Sequence, residues 1–186
     1  PAPTPVRTPT RTPTPTRTPT PTPRPPGFEL RNQNFAHGVE DWGVRAGATL
    51  VESANTGVPL LVLFASGRAT AWVEQLILVA PRGWYEGSAN LTPRHGVAAA
   101  WVRIAWYAST DGSGSQMFTV DSPIIDTSGV RAIQIAGASS EPQWISTGPV
   151  QAPPGAHSAR IRILLQPDID IGAELAISDV AFGTTL

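Results

Sequence analysis

The chain has 186 residues, a formal net charge of −1, 20 prolines and no cysteine. This length accommodates one compact domain, or one domain and an extended arm. Without cysteine the protein has no disulfide, no thiolate metal site and no cysteine nucleophile. No apolar run approaches the roughly eighteen residues of a membrane-spanning helix. Because the chain begins at Pro1 without Met or an apolar leader, we expect a processed, secreted and cell-surface-associated product.

Residues 1–26 form a separate compositional region, with eleven prolines, four arginines and no acidic residue. Proline fixes φ and lacks an N–H donor, so this region is predicted to be an extended polyproline II arm. Threonine beside proline is typical of O-glycosylated stalks. The candidate glycan carriers are Thr4, Thr8, Thr10, Thr12, Thr14, Thr16, Thr18, Thr20 and Thr22.

Charge divides along the same boundary. Residues 27–186 carry nine arginines and no lysine against fourteen acidic residues, a balance of −5. The four arginines of the arm are too few and too widely spaced to indicate nucleic-acid binding. They are interpreted either as solvating charges of a linker or as contacts to the acidic body of another protomer.

Residues 27–186 are predicted to form one all-β domain. Short apolar segments alternate with turns rich in Gly and Pro, and no segment keeps a 3.6-residue period for the length of a helix. Nine strands in 160 residues indicate a two-sheet antiparallel β-sandwich. The expected strands are 59–64, 69–79, 84–91, 97–107, 117–120, 132–136, 144–150, 158–166 and 174–182.

Alternation along three strands separates a core side from an outer side, because successive strand residues point to opposite faces. The core sides are predicted to carry Tyr85, Ala89 and Leu91, then Val102, Ile104 and Trp106, and finally Ala159, Ile161, Ile163 and Leu165. The outer sides combine into one predicted binding face, made of Trp84, Glu86, Asn90, Trp101, Arg103, Tyr107, Arg160 and Arg162.

Such a face has three interpretations. Aromatic rings stack on sugars while Arg, Glu and Asn bind hydroxyl groups, which favours a glycan. Trp, Tyr and Arg are also the usual anchors of protein interfaces. Finally, arginine stacked on tryptophan is ordinary cation–π cover for a sheet.

The order of landmarks resembles the galactose-binding-like jelly rolls, especially carbohydrate-binding modules of families 4, 9, 16 and 22. The resemblance covers about Leu30–Phe182 and implies a jelly-roll fold with Trp42 and Trp144 in the core; Trp72, on an apolar strand, is also expected to be buried. The landmarks begin with an Asn-rich stretch at 32–34, followed by Phe35, Gly38 and Trp42. A Gln-bearing strand at 75–79 comes next, then Pro81, Gly83 and Tyr85, and then a Trp-bearing strand that ends near Asp111. Trp144 precedes the segment 152–156, and the series closes with a strand at 178–182.

The resemblance also suggests a site for a structural calcium ion. Modules of this kind commonly have a Glu after the early Phe and paired acids in the closing strand, where this chain has Ala36 and Ser178. Hard cations prefer clustered oxygen ligands, and the alternative is an acidic turn between the last two strands. The candidate calcium ligands are Asp168, Asp170 and Glu174, or Asp179.

No catalytic constellation stands out. The three histidines, His37, His95 and His157, lie in separate polar, turn-like contexts and are expected at the surface. No carboxylate pair suits glycoside cleavage, and no glycine-rich loop suits a phosphate. We therefore expect a non-enzyme with no cofactor other than calcium.

Two functional classes remain. In the first, the chain is a structural or adhesive extracellular subunit that assembles into filaments or a surface layer. A polyproline II rod binds naturally in an aromatic-lined groove, and a groove on a neighbouring copy would chain protomers head to tail. In the alternative, the domain is a carbohydrate-binding module on an O-glycosylated stalk, accessory to a polysaccharide-acting enzyme. The segment 122–141 is interpreted as an added hairpin or a partner-contacting loop.

Overall fold

The computed structural model describes residues 26–46, 49–52, 60–126, 141–168 and 172–185. Within these ranges the regular structure consists of strands, and no helix long and apolar enough to cross a membrane occurs in them. The eleven described strands are β1 Gly43–Arg45, β2 Thr49–Glu52, β3 Leu61–Ala65, β4 Ala71–Leu78, β5 Trp84–His95, β6 Val97–Tyr107, β7 Gln116–Asp121, β8 Gln143–Ser146, β9 Val150–Gln151, β10 Ser158–Pro167 and β11 Ala173–Thr184.

The strands form two antiparallel sheets, as predicted. One sheet has five strands in the order β1-β4-β10-β6-β7, and the other has the order β2-β3-β11-β5-β8, with β9 also paired to β5. The long strands β5 and β6 follow each other in sequence but belong to different sheets. The short turn between them therefore carries the chain from one layer to the other, and Gly96 supplies its positive φ of 58°.

The core lies between the two sheets and is built by strict alternation. Ile104 and Trp106 of β6 and Ile161 and Ile163 of β10 have no exposed surface, and they belong with Leu91 of β5 to one cluster of buried side chains. All the residues predicted to face inward on these three strands are buried. The predicted separation of core and outer sides is therefore confirmed for each strand taken by itself.

The segment before β1 covers one end of the sandwich. The Gln75 side chain accepts a hydrogen bond from the Arg31 backbone N–H (2.7 Å) and donates one to the Arg31 carbonyl (2.9 Å). Phe35 packs on Trp42 with ring centroids 5.5 Å apart. Trp42 donates its indole N–H to the carbonyl of Asn32 (3.1 Å) and is buried, as expected.

Several predicted elements need correction. Trp144 is 57% exposed rather than buried, because in edge strand β8 it is Ile145 that faces the core. Trp72 is half-buried and lies on the outer side of β4. The strands β1 and β2 were not predicted, and the segment expected at 144–150 divides into β8 and β9. The predicted strand 132–136 and most of the predicted loop at 122–141 lie outside the described residues.

Gly87 provides a test of core packing. It faces the core from β5, where a Cβ atom would lie 2.6 Å from Ile161 Cδ1 and 3.1 Å from Ile104 Cγ1. Because overpacking forces neighbours out of their rotamers, we expect Gly87→Ala to lower the free energy of unfolding by about 1–3 kcal/mol in urea titrations.

Gly183 is the matched control on the adjacent strand β11. It pairs with Glu86, and nothing lies within 4 Å of its Cβ position. Gly183→Ala should leave the free energy of unfolding unchanged or raise it by about 0.5 kcal/mol, since alanine loses less chain entropy than glycine on folding. Equal losses in the two variants would contradict this packing account.

Candidate functional site

The residues predicted to form one binding face lie on two opposite surfaces. Strands β6 and β10 belong to the five-stranded sheet, and its outer side carries Trp101, Arg103, Tyr107, Arg160 and Arg162. Strand β5 belongs to the six-stranded sheet, so Trp84, Glu86 and Asn90 point away on the far side of the sandwich. The prediction of a single face was therefore wrong.

We call the outer side of the five-stranded sheet the arginine face. Strand alternation and register add residues from β1, β4 and β7 to the five predicted ones. Its members discussed below are Arg45, Trp72, Glu74, Trp101, Arg103, Tyr107, Asp121, Arg160, Arg162 and Leu164.

A row of four charged residues crosses the arginine face. Arg162 of β10 lies directly between Glu74 of β4 and Arg103 of β6, and Arg103 is paired in turn with Asp121 of β7. The signs along this row are negative, positive, positive and negative. Two arginines are thus direct cross-strand neighbours in the middle of the sheet.

Glu74 organises this row. Its side chain is only 4% exposed, and its Oε1 accepts hydrogen bonds from Arg45 Nε (3.1 Å) and from Arg160 Nη1. Its Oε2 accepts from Arg162 Nε (2.9 Å) and from the Trp72 indole N–H (3.1 Å). Four donors from three strands, β1, β4 and β10, therefore converge on one buried carboxylate.

These partners keep the Glu74 carboxyl group ionised. Burial by itself would raise the pKa of Glu74, but the charges of Arg160 and Arg162, with hydrogen bonds from Arg162 and Trp72, lower the pKa below its ordinary 4.5. The carboxylate is therefore ionised at neutral pH and stays so into the acidic range.

The remaining arginine contacts complete the array. Arg103 binds Asp121 with two parallel hydrogen bonds, from Nε (2.6 Å) and Nη2 (2.7 Å). Arg162 Nη2 donates to the hydroxyl oxygen of Tyr107 (2.8 Å). Arg160 Nη2 donates to the carbonyl of Gly112 (3.3 Å), in the turn between β6 and β7. Each guanidinium is thus oriented by at least two partners or by a bidentate pair.

An apolar row runs beside the charged row. Leu164 of β10 pairs with Trp72 on one side and with Trp101 on the other. With neighbouring strands about 4.8 Å apart, the two tryptophan backbones are about 10 Å apart across the sheet. Both indoles are half-buried.

Each aromatic ring of the arginine face has a guanidinium over it. Arg103 lies over Trp101 at 5.8 Å, Arg160 over Tyr107 at 5.4 Å, and Arg162 over Trp72 at 5.6 Å from the ring centroids. These distances are within the range of cation–π attraction. The cation–π cover considered from the sequence is therefore present here.

A cavity of about 280 Å³ opens at the β1 edge of the arginine face. Its lining mixes both signs of charge, and the Arg31–Asp41 pair (3.9 Å) lies in its wall. The charged residues that line it are Glu29, Arg31, Asp41, Arg45, Glu74 and Arg160.

The opposite surface, which we call the tryptophan face, is the outer side of the six-stranded sheet. It carries Trp84, Glu86, Asn90 and Trp144. Trp84 is 51% exposed, and Trp144 lies beside Asn90 at the edge of the sheet. Ser146 donates its hydroxyl to Glu86. This face therefore presents bare indoles, in contrast to the arginine-covered rings of the other sheet.

The remaining candidate residues do not come together in the described structure. All three histidines are exposed, as expected. No group of three or more His, Asp or Glu residues suited to a metal ion occurs among the described residues. Glu174 pairs with Arg94 (2.9 Å), Asp179 lies beside Asn90, and Asp170 is outside the described residues. The calcium site and the glycan carriers of the arm stay predictions.

The fold places this chain in a known structural class. Neither a protein-family model nor a curated protein matches the sequence. Solved structures do match, at identities that support the fold alone. They include carbohydrate-binding modules of families 16 and 22, which confirms the predicted module-like jelly-roll sandwich.

Three of these structures illustrate the likeness. The family 16 carbohydrate-binding module-2 is 12% identical, with 84% of this chain and 99% of that chain covered and a TM-score of 0.56. A xylan-binding domain of family 22 is 16% identical, over 83% and 94% of the two chains, with a TM-score of 0.55. The enzymatically active domain of tailspike protein 4 of bacteriophage CBA120 is 14% identical with a TM-score of 0.60, over 85% of this chain. This chain spans only 21% of that tailspike chain.

Glu74, Trp72 and Arg45 belong to the site but were not predicted from the sequence. Glu74 carries the detectable signal, since it is the one charged residue in the otherwise apolar and amide-bearing run of β4. A single carboxylate there requires a cationic partner on a neighbouring strand. Alternation places Trp72 on the same side of β4 as Glu74.

The stabilising role of Glu74 can be measured. Glu74→Gln leaves three arginines without their shared counter-ion, and we expect it to lower the free energy of unfolding by about 2 kcal/mol at pH 7. This is less than for a fully buried pair, because the guanidiniums remain partly exposed to water. Asp121→Asn, at an exposed pair, should cost less than about 1 kcal/mol.

The pH dependence of this difference adds a second check. A carboxyl group with a lowered pKa contributes stability that is fully present above its ordinary pKa and is lost as pH falls through the folded-state pKa. The stability difference between wild type and Glu74→Gln should therefore be constant near neutral pH and shrink below pH 4.5. A difference that does not change over this acidic range would contradict the proposed charge of Glu74.

Proposed function

We propose that this protein is a non-catalytic, extracellular glycan-binding module and that the arginine face is its binding surface. The 1–26 region would serve as the stalk that connects the module to other parts of its protein. Sugars of a polysaccharide chain would lie across β4, β10 and β6, along the apolar row and beside the charged row.

The observation that carries this proposal is the side-by-side arrangement of the two rows. The half-buried indoles of Trp72 and Trp101, on either side of the buried Leu164, offer apolar surface to the carbon-bearing faces of sugar rings, while Arg162 and Arg103 offer N–H donors to their oxygens. Glu74 holds Arg162 in place, and Asp121 holds Arg103, before any ligand arrives. Such preorganisation reduces the entropy that binding must overcome.

The likeness to solved carbohydrate-binding modules supports the proposal at the level of the fold. One of these structures is named a xylan-binding domain, so a sandwich of this fold can bind a polysaccharide. No nucleophile paired with a general base was recognised in the sequence, and we therefore favour binding over catalysis.

Self-assembly through the arm receives no support from the described structure. The residues that would make the connection, 1–25, lie outside the described ranges. The filament interpretation therefore stays a prediction from the sequence, and glycan binding replaces it as the preferred function.

Binding is tested by affinity electrophoresis of the full-length chain in gels that contain single polysaccharides, both neutral and acidic. Retention by at least one polymer is expected. Trp101→Ala should weaken the affinity for that polymer by about 1 kcal/mol, or roughly fivefold, because it removes half of the paired indole surface of the apolar row.

Trp144→Ala is the matched control, since it removes an exposed indole from the tryptophan face. It should leave retention unchanged. Loss of retention in Trp144→Ala but not in Trp101→Ala would place the site on the other sheet. A chain retained by no polysaccharide would overturn the proposed function.

A further inference from the structure

We infer that the arginine face selects acidic polysaccharides, whose sugars carry carboxylate groups, over neutral ones. This inference rests on the proposed function, because it specifies the ligand of the same surface. The charges of the face and the guanidinium cover of its aromatic rings both favour an acidic ligand.

Two arginines of the arginine face occupy directly opposed positions on neighbouring strands. Arg162 and Arg103 are directly opposite each other on β10 and β6, at a Cβ separation of about 5 Å, where like charges disfavour pairing. Arg160 adds a third guanidinium two residues along the same side of β10. Glu74 and Asp121 compensate these charges only from the flanking strands. An anion above the middle of the sheet would relieve the remaining repulsion.

The arginine face also carries more positive than negative side chains. Four arginines of the face, Arg45, Arg103, Arg160 and Arg162, stand against two carboxylates, Glu74 and Asp121, which gives a balance of +2 for the outer side of these strands. Residues 27–186 as a whole have a balance of −5. A positive surface on an otherwise acidic domain steers acidic ligands to that surface and away from the rest.

The aromatic rings of the arginine face are covered by guanidinium groups. Trp72, Trp101 and Tyr107 each have a guanidinium over the ring. A sugar that approaches this face therefore meets planar N–H donors as well as indole surface. Guanidinium groups match carboxylates in a two-point, fork-like geometry that hydroxyl groups do not reproduce.

The position of the surplus charge follows from the neighbours. At the β1 edge, Glu29 and Asp41 line the cavity together with Arg31 and Arg45, so the charges there largely cancel. With Arg45 counted at that edge, Arg103, Arg160 and Arg162 stand against Glu74 and Asp121, and the remaining balance of +1 lies over β10 and β6. We therefore place the carboxylate of the ligand above these three arginines.

The test compares matched polymers on the same full-length chain. Carboxymethylcellulose and hydroxyethylcellulose form one pair, and polygalacturonate and its methyl ester form another; within each pair the backbone is shared and the charge is removed. We expect retention by the charged member of at least one pair to exceed retention by its neutral partner roughly tenfold at low salt. Because exposed charges are screened by salt, the excess should fall as NaCl is raised from 0.05 M to 0.5 M, concentrations that shorten the screening length from above to below about 10 Å.

The decisive variant is Arg103→Gln. Arg103 is 28% exposed, and its ion pair among the described residues is with the exposed Asp121, so the substitution should leave the fold intact, as thermal unfolding will show. It should weaken retention by the charged polymer roughly fivefold or more. Arg94→Gln is the control, because it removes the same charge from an exposed pair on the six-stranded sheet and should have no effect.

Each outcome decides a separate point. Equal retention by the charged and neutral members of both pairs would overturn the selection of acidic ligands and leave the proposed glycan binding intact. Equal losses in Arg103→Gln and Arg94→Gln would show general charge attraction and would also overturn the inference. No retention by any polysaccharide, charged or neutral, would overturn the proposed function itself.

Discussion

A buried carboxylate that has to keep its charge constrains the whole five-stranded sheet. Removing an ion such as the Glu74 carboxylate from water costs several kcal/mol unless strong partners replace the lost hydration. The sheet supplies these partners from three strands, with Arg45 on β1, Trp72 on β4, and Arg160 and Arg162 on β10. The short strand β1 is attached to the sheet at this point, and Arg45 reaches from it directly to Glu74.

The same interaction determines what the outer side of the sheet can offer to a ligand. Long arginine side chains normally lose considerable rotamer freedom when they bind. On this face much of that freedom is lost on folding, because Arg160 and Arg162 are tied to Glu74 and Arg103 is tied to Asp121. The tryptophan face lacks a comparable buried carboxylate among the described residues, and its two exposed indoles lie far apart, at Trp84 near the start of β5 and at Trp144 on β8. The two sheets therefore share a core but differ in how far their outer surfaces are preorganised.

Much of the fold follows from local patterns in the sequence. The inward residues of β5, β6 and β10 were predicted because a period of two in hydrophobicity maps directly onto the two sides of a strand. Trp144 was placed wrongly because β8 is a short edge strand, where the register with Asn90 decides which side an indole occupies. The strands β1 and β2 have only three and four residues, too few for an alternating pattern to be recognised.

The site was predictable only in part, for a physical reason. Alternation tells which side of its own strand a residue occupies, but it does not tell which sheet the strand joins. For this reason Trp84 of β5 and Trp101 of β6 were assigned to one surface, although the chain crosses between layers at Gly96. Glu74 escaped notice because its partners come from strands far apart in sequence, and only the register of β4 with β10 brings Arg162 opposite to it.

The fold and the proposed ligand binding depend on largely different sets of residues. The neighbouring modules share between 12% and 16% of their residues with this chain, yet they have the same sandwich, because buried apolar positions tolerate substitution as long as volume and pattern are kept. Outward positions of the five-stranded sheet contribute little to that apolar pattern, although Glu74 among them ties β1, β4 and β10 together. In this chain they carry guanidiniums, and the chain has no lysine. A lysine in place of Arg162 could not donate to Glu74 and Tyr107 at once with a planar group that also covers Trp72. The chemistry of the arginine face therefore depends on the shape of the guanidinium as much as on its charge.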